Sequence, residues 1–454
     1  MMTDIILITI DSLRYDHVGF SGYERDTTPF IDELATNSCV FENAFSNACA
    51  TRQSFPAILT SSYTSMYGGY ERMSKERTLI SEILKQGGYK TAGFHSNLFM
   101  SAAFGYDRGF DVFYDSKTNP PLSAKLKQTV KENLNQDGAL YNFLSSLVNT
   151  AERQAGINTG SAYVSADNIT DKSLEWVKTV SDTDSPRFLW THYMDVHHPY
   201  VPPEEYQLEF RDEPIGERRS IQLRRKMLEE PESITDDELD DIINLYDAEI
   251  RFTDDEIRRL VEYTKKAWGE DTIVLITSDH GEEFLEHGQF SHHSTFHDEV
   301  IHVPLVIDTG NETGKTYDQM VGLIDISPTV VDYAGMDIPE NFHGNSIKQL
   351  IESNGWQKKE IIGEKCVNGQ KLVKIMYRDE KWKYIEEEGD GMLYNLDEDP
   401  QEVDEIWETE NIPEYILSKI RDHKTLIKEH SGKREQVEME ESVKKRLRDL
   451  GYKE

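Results

Sequence analysis

Two stretches of this chain, Ile5–Ile10 and residues 273–276, are unbroken runs of isoleucine, leucine, valine and threonine. Neither alternates with polar residues, so each reads as a strand buried on both faces, as in a parallel sheet. Each run ends in an aspartate: Asp11-Ser12 follows the first, and Asp279-His280 follows Thr277-Ser278 after the second. Residues 89–94 and 187–194 have the same strand character. Amphipathic segments lie between the strands. Thr27-Thr28-Pro29 caps and opens a helix through Ala35. Residues 79–85 form a helix stopped by Gly87-Gly88. A helix over 246–264 places Ile250, Ile257 and Leu260 on its inner face, and another over 325–335 carries Pro328 in its first turn. This alternation predicts an α/β fold, an αβα sandwich with a mostly parallel central sheet.

The texture changes from about Trp356. Short strands over 361–366, 371–377, 382–386 and 392–396 predict a small antiparallel sheet, and residues 413–450 read as a charged helical tail. The polar segment 116–171 reads as a helical insertion over the site. The expected division is a catalytic domain over 1–355 and a smaller C-terminal α+β domain over 356–454.

Charge narrows the functional classes. Acidic residues number 84 against 49 basic ones, for a formal charge of −35, which disfavours nucleic acid and anionic membrane as general partners. The same charge suits solubility in high salt. Cys39, Cys49 and Cys366 form neither a disulfide framework nor a paired zinc spacing, which fits a reducing cytoplasm. No apolar run reaches transmembrane length, and Ile5–Ile10 is too short for a signal-peptide core. The expectation is a cytoplasmic protein without a membrane anchor; its oligomeric state is left open.

The chemistry gathers at strand ends. Ligands of open α/β sheets bind beyond the carboxyl ends of the strands, where Asp11, Asp279 and His280 all fall. Two carboxylates and an imidazole form a mixed oxygen and nitrogen donor set for one divalent metal ion, suiting Mn or Zn better than Ca. Gly281 then permits a sharp turn. The segment that follows carries His287, His292, His293, His297 and His302. The acidic run 236–241 reads as a solvated helix face.

In family order, the chain carries Thr9-Ile10-Asp11-Ser12-Leu13-Arg14, Thr27-Thr28-Pro29 with the helix behind it, Gly88-Tyr89-Lys90-Thr91-Ala92, Gly109-Phe110-Asp111, Met194-Asp195-Val196-His197-His198-Pro199-Tyr200, Tyr246-Asp247-Ala248-Glu249-Ile250, Ser278-Asp279-His280-Gly281, Val303-Pro304-Leu305, Asp325-Ile326-Ser327-Pro328-Thr329 and Leu393-Tyr394-Asn395-Leu396. On these residues it resembles the sulfatase branch of the alkaline phosphatase superfamily. The resemblance implies an alkaline-phosphatase-like αβα domain, a smaller C-terminal sheet domain and a divalent cation at the sheet edge. It also places Thr51 in the slot where sulfatases carry the cysteine or serine that matures to formylglycine, with Phe55 in place of that motif's arginine. Cys49 lies two residues early and lacks the proline and arginine of the motif. Ser12 stands for the family's second early aspartate, and His280 for its late metal-binding asparagine. The set Asp11, Thr51, Asp279 and His280 thus resembles the metal site of threonine-dependent phosphodiesterases and transferases of the superfamily.

On that resemblance Thr51 is the expected nucleophile and a fourth metal ligand, although a threonine there also suits the cap of a helix through Leu59. His197 and His293 fall where the family places groups that bind substrate or protonate the leaving group, with His292 and His297 as alternatives to His293. Arg52 is expected to clamp an ester oxygen, and His95 and Asn97 to line the pocket. The expected activity is metal-dependent hydrolysis of a phosphate mono- or diester on a small molecule or glycan. The rivals are sulfate-ester hydrolysis, transfer of the phosphoryl-linked group to an alcohol, and a non-catalytic binding protein that keeps the fold.

Overall fold

The structure is a computed structural model that describes residues 3–116, 163–292, 295–310, 314–353, 355–404 and 412–434. Its centre is an eight-stranded sheet. The strand order is Lys315–Tyr317, Cys39–Phe41, Leu305–Asp308, Ile273–Ser278, Ile5–Ile10, Arg187–Tyr193, Lys90–Phe94 and Val112–Tyr114. Leu305–Asp308 runs antiparallel to both of its neighbours, and every other pairing in the sheet is parallel.

The unbroken apolar strands follow from burial on both faces. Ile5 and Leu7 belong to one apolar layer, with Trp190, Leu275, Phe55 and Val330. Ile6, Ile8 and Ile10 belong to the opposite layer, with Leu189, Val274, Ile276 and the helices Ala166–Val180 and Asp236–Trp268. Each fully buried isoleucine contributes roughly 1.5–3 kcal/mol, so alternation would weaken one layer or the other.

Register delivers the site. Ile10 pairs with both Tyr193 and Ser278, so three neighbouring strands end level. Asp11 and Asp279 therefore leave the same sheet edge side by side.

A separate four-stranded antiparallel sheet comprises Ile361–Val367, Lys371–Arg378, Trp382–Glu387 and Asp390–Asn395. One face packs on the helix Glu414–Glu429 through Ile375, Leu393, Ile416 and Ile420. Met376 and Ile385 pack instead against Phe45, Phe296 and Ile301 of the larger layer structure. The end of the expected tail, from 435 onward, lies outside the described residues. So does most of the expected insertion, 117–162, while Ala166–Val180 is part of the helical layer on the main sheet.

Two helix starts differ from expectation. The Pro29–Ala35 helix begins at the expected proline, but Thr28 does not cap it. Asp254, from the long helix, accepts hydrogen bonds from the backbone N–H of Phe30 at 2.8 Å and of Ile31 at 2.9 Å. The expected 246–264 helix starts earlier, at Asp236, where Thr235 accepts from the Glu238 N–H at 3.3 Å and forms a capping box. The acidic run lies on its exposed first turns, where negative charge favours the helix N-terminus.

Candidate active site

The level strand ends bring Asp11, Asp279 and His280 together, all fully buried, with ligand atoms within 4.8 Å of one another. The helix Thr51–Thr60 is aimed at them by its N-terminus. Thr51 is its first residue, its hydroxyl makes no cap, and Thr51 Oγ1 lies 3.2 Å from Asp11 Oδ2 and 3.1 Å from His280 Nε2. His280 Nδ1 donates to the Gly281 carbonyl at 2.8 Å, which leaves Nε2 as the lone-pair nitrogen facing Thr51. Gly281 is required for this turn, because a Cβ would meet the Glu299 carbonyl oxygen at 2.1 Å.

The two carboxylates are held differently. Asp11 accepts from the Ser12 hydroxyl at 2.9 Å. Burial alone would raise its pKa, but the neighbouring His197, His192 and His280 hold it below the ordinary carboxylate value. Asp279 Oδ1 accepts from the His280 N–H at 3.0 Å and the Ser12 N–H at 3.3 Å. Burial, and then the charge of Asp11, push its carboxyl well up, and its Oδ2 is buried without a hydrogen-bond partner. An orphaned carboxylate oxygen beside a second carboxylate and an imidazole lone pair fits a divalent cation, whose charge would relieve both burial and repulsion. Asp11, Asp279 and His280 would hold it, with Thr51 beside them.

A wall of imidazoles flanks this cluster. His192 Nε2 lies 3.5 Å from Asp11 Oδ2, and its Nδ1 is 3.0 Å from Thr9 Oγ1, which also accepts from the Trp190 indole at 3.1 Å. His197 donates through Nδ1 to the His198 carbonyl at 2.7 Å, and burial lowers its pKa. His292 lies against His280 with ring centroids 4.1 Å apart, and 5.4 Å from His197. His293 lies outside the described residues. His297 stacks on His287 at 3.5 Å and meets Tyr394 of the small sheet, away from the cluster.

The remaining expected residues have local partners. Arg52, half-buried, lies over the Phe99 ring at 4.1 Å and the Tyr70 ring at 5.3 Å, directly after Thr51. Asn97 accepts from the Phe99 N–H at 3.0 Å and so caps the short turn Leu98–Met100. His95 is fully buried between Phe113 at 5.1 Å and Trp190 at 5.3 Å, and burial drives its pKa down to about 3. It forms part of the aromatic floor behind His192. Cys49 is buried in an apolar cluster with Phe45, Phe296 and Met376.

Two residues at this site carry no distinct mark in the sequence. His192 sits inside a strand that reads as core; the signal is its register opposite Thr9, two residues before Asp11. Glu282 is fully buried with both carboxylate oxygens unpartnered, and its Oε2 is 3.6 Å from His292 Nδ1.

Comparison with known proteins bears on this geometry. Residues 3–336 match the sulfatase family model, and residues 285–429 match the model of the N-sulphoglucosamine sulphohydrolase C-terminal region. An arylsulfatase of Clostridium perfringens is 27% identical, with 96% of each chain covered. Arylsulfatase K of Canis lupus familiaris is 23% identical over 89% of this chain and 78% of its own. The phosphonate monoester hydrolase of Agrobacterium radiobacter is similar in structure, with a TM-score of 0.71, 19% identity, and 94% of this chain and 96% of its own covered. A protein solved with its substrate D-glucosamine-2-N,6-O-disulfate has a TM-score of 0.70, 16% identity, and coverage of 94% and 99%. Among the described residues, no helix is long and apolar enough to cross a membrane.

Proposed function

Because this chain belongs to the sulfatase family and is a sulfatase-like ester hydrolase of the alkaline phosphatase superfamily, we propose that it cleaves phosphate mono- or diesters with Thr51 as nucleophile. The observation that carries this reading is the Thr51 hydroxyl, poised between Asp11 Oδ2 and His280 Nε2 at the N-terminus of its helix. Among the described residues, the nearby Cys49 faces the apolar cluster, Ser54 bonds to Ser46 and the Ala48 carbonyl, and the Ser12 hydroxyl donates to Asp11 Oδ1.

A divalent cation bound at the cluster would supply Lewis acidity, lowering the hydroxyl's pKa and neutralising ester oxygens. With its proton released to solvent, Thr51 Oγ1 attacks phosphorus, the bond to the leaving oxygen breaks, and a phosphothreonine forms. The first-turn N–H groups of the Thr51–Thr60 helix and the Arg52 guanidinium place positive charge beside the phosphoryl oxygens. His197 and His292, packed on each other with His292 against His280, are the imidazoles assigned to give the leaving oxygen its proton. Water then hydrolyses the phosphothreonine. A plain threonine lacks the second hydroxyl through which a formylglycine hydrate eliminates sulfate, and this favours phosphorus as the reacting centre. The fold relationship to a phosphonate monoester hydrolase supports the same side. A sulfate ester is the second reading, favoured by the arylsulfatase relative that aligns over nearly the whole chain. By either reading, the substrate is a small-molecule or glycan ester.

The test is turnover of bis(4-nitrophenyl) phosphate, 4-nitrophenyl phosphate and 4-nitrophenyl sulfate by the manganese- or zinc-loaded parent, Thr51→Ser and Thr51→Ala. Phosphate esters are expected to exceed the sulfate, Thr51→Ser to retain part of the rate, and Thr51→Ala to lose several orders of magnitude. Parent-like activity of Thr51→Ala would end the nucleophile assignment. Sulfate release with negligible phosphate turnover would establish the second reading.

A further inference from the structure

Glu282 is a fully buried acid beside the cluster that the reaction leaves without work. Its backbone is fixed from both sides: its N–H donates to the Glu299 carbonyl at 3.1 Å, and its carbonyl accepts from Arg14 Nη1 at 3.1 Å. Arg14 is itself anchored by Asp16 and Glu286. The side chain is therefore held in place, yet neither carboxylate oxygen has a hydrogen-bond partner. An acid buried without partners costs a few kcal/mol, and such groups gather at functional sites. The group it faces is His292, whose Nδ1 lies 3.6 Å from Glu282 Oε2, with both side chains no more than 1% exposed. His292 in turn lies at 4.1 Å against the ring of His280. Glu282, His292 and the nucleophile's neighbour His280 are thus in contact one after the next, all three buried.

We propose that Glu282 is a positioning residue that turns the Nδ1 edge of His292 inward, so that Nε2 is presented to the leaving oxygen of the ester. The inference rests on the reading of this site as an ester hydrolase in which His292 touches the substrate. At 3.6 Å the pair is longer than a hydrogen bond, and an approach of under an ångström as substrate fills the site would close it. In the first half-reaction the bond from phosphorus to the leaving oxygen breaks, the Nε2 proton of His292 passes to that oxygen, and the imidazole becomes neutral. In the second, water attacks the phosphothreonine and its proton returns to His292. Glu282 gains and loses nothing; it fixes which nitrogen takes part. A carboxylate behind an imidazole serves this role in other hydrolases by geometry alone.

The test is the dependence of kcat on leaving group. Proton donation matters most when the departing phenolate is basic and least when it is stable. A series of aryl esters running from dinitrophenyl through 4-nitrophenyl to phenyl is used, as phosphates or as sulfates according to which the metal-loaded parent turns over. His292→Ala is expected to lose little on the dinitrophenyl ester and about 10²–10⁴-fold on the phenyl ester. Glu282→Gln, which keeps the shape but not the charge, is expected to show the same steepening at about 10–100-fold on the phenyl ester. KM and metal content should stay close to the parent's, the melting temperature should not fall, and Glu282→Asp should recover part of the phenyl-ester rate. A uniform loss across all leaving groups in Glu282→Gln, or no loss, overturns the positioning role while the reading of His292 stands. A parent-like leaving-group dependence in His292→Ala overturns both.

Discussion

Replacing Asp279 by asparagine should move stability in opposite directions with and without metal. Asp279 Oδ1 accepts two backbone N–H groups, from Ser12 and His280, and an asparagine oxygen can keep both. On the other side, Asp279 Oδ2 has no hydrogen-bond partner and lies 3.5 Å from His280 Nε2. An amide NH2 there can donate to the nitrogen that the carboxylate oxygen only crowds. The substitution also removes one of two neighbouring buried carboxylates, where burial and the Asp11 charge already push the Asp279 carboxyl up. Replacing a buried, poorly compensated charge is worth on the order of 1–3 kcal/mol, so in EDTA the Asp279→Asn protein should melt above the parent. With a cation at a hundred times its dissociation constant, the parent gains about 2.7 kcal/mol, and the variant loses most of that gain with its ligand. The order of the two melting curves then reverses in manganese or zinc. Scanning calorimetry of both proteins in EDTA and in metal, with metal content measured on the same samples, reads the crossing directly. If Asp279→Asn is less stable than the parent in EDTA, the carboxylate is engaged in holding the fold. If it keeps the parent's metal content and metal-dependent rise, the cluster does not hold a cation.

Three further outcomes follow from named contacts. Cys49, buried against Phe45 and Phe296, should appear in the intact mass as unmodified cysteine, and Cys49→Ser should keep most of the activity while losing roughly 1–3 kcal/mol of stability; a mass deficit at Cys49 would restore formylglycine chemistry. Asp254→Ala strips the acceptor from the Phe30 and Ile31 N–H groups and should cost about 1–3 kcal/mol in denaturant titration with kcat unchanged; parent-like stability would refute the capping role. His95 is neutral in the fold, with its pKa lowered by burial from 6.5 to about 3, whereas the unfolded chain takes up a proton below about 6.5. Its contribution is therefore complete above about pH 6.5 and is lost as pH falls toward about 3, at roughly 1.4 kcal/mol per pH unit. His95→Phe should flatten the stability profile by that slope between pH 6 and 4, and equal slopes in the two proteins would refute it.

The parts of this site that are legible in the sequence are those where chain pattern and chemistry coincide. An apolar run buried on both faces must stop where the sheet stops, so Asp11 and Asp279 announce a sheet edge without any knowledge of the fold. The C-terminal strands are legible for the same reason, since turns punctuate them at short intervals. What the pattern does not carry is which strands are neighbours. The level pairing of Ile10 with both Tyr193 and Ser278 is what places His192 beside Asp11, and nothing local to the 187–194 run distinguishes that histidine from a satisfied core residue. The cap on Phe30 and Ile31 is likewise invisible, because its acceptor, Asp254, comes from another helix.

The histidine-rich loop shows the same limit more sharply. His292, His293 and His297 are chemically equal in the sequence, and an irregular loop has no period to say which one points inward. The structure separates two of them by their company. His292 rests on His280 and meets a buried acid, whereas His297 stacks on His287 toward the small sheet. A buried carboxylate with no hydrogen bond is the discriminating feature, because it has a cost that the fold does not recover locally. His292 is the described imidazole that this acid faces, so at this loop the energetic imbalance of Glu282, rather than sequence position, singles out the histidine to be tested first.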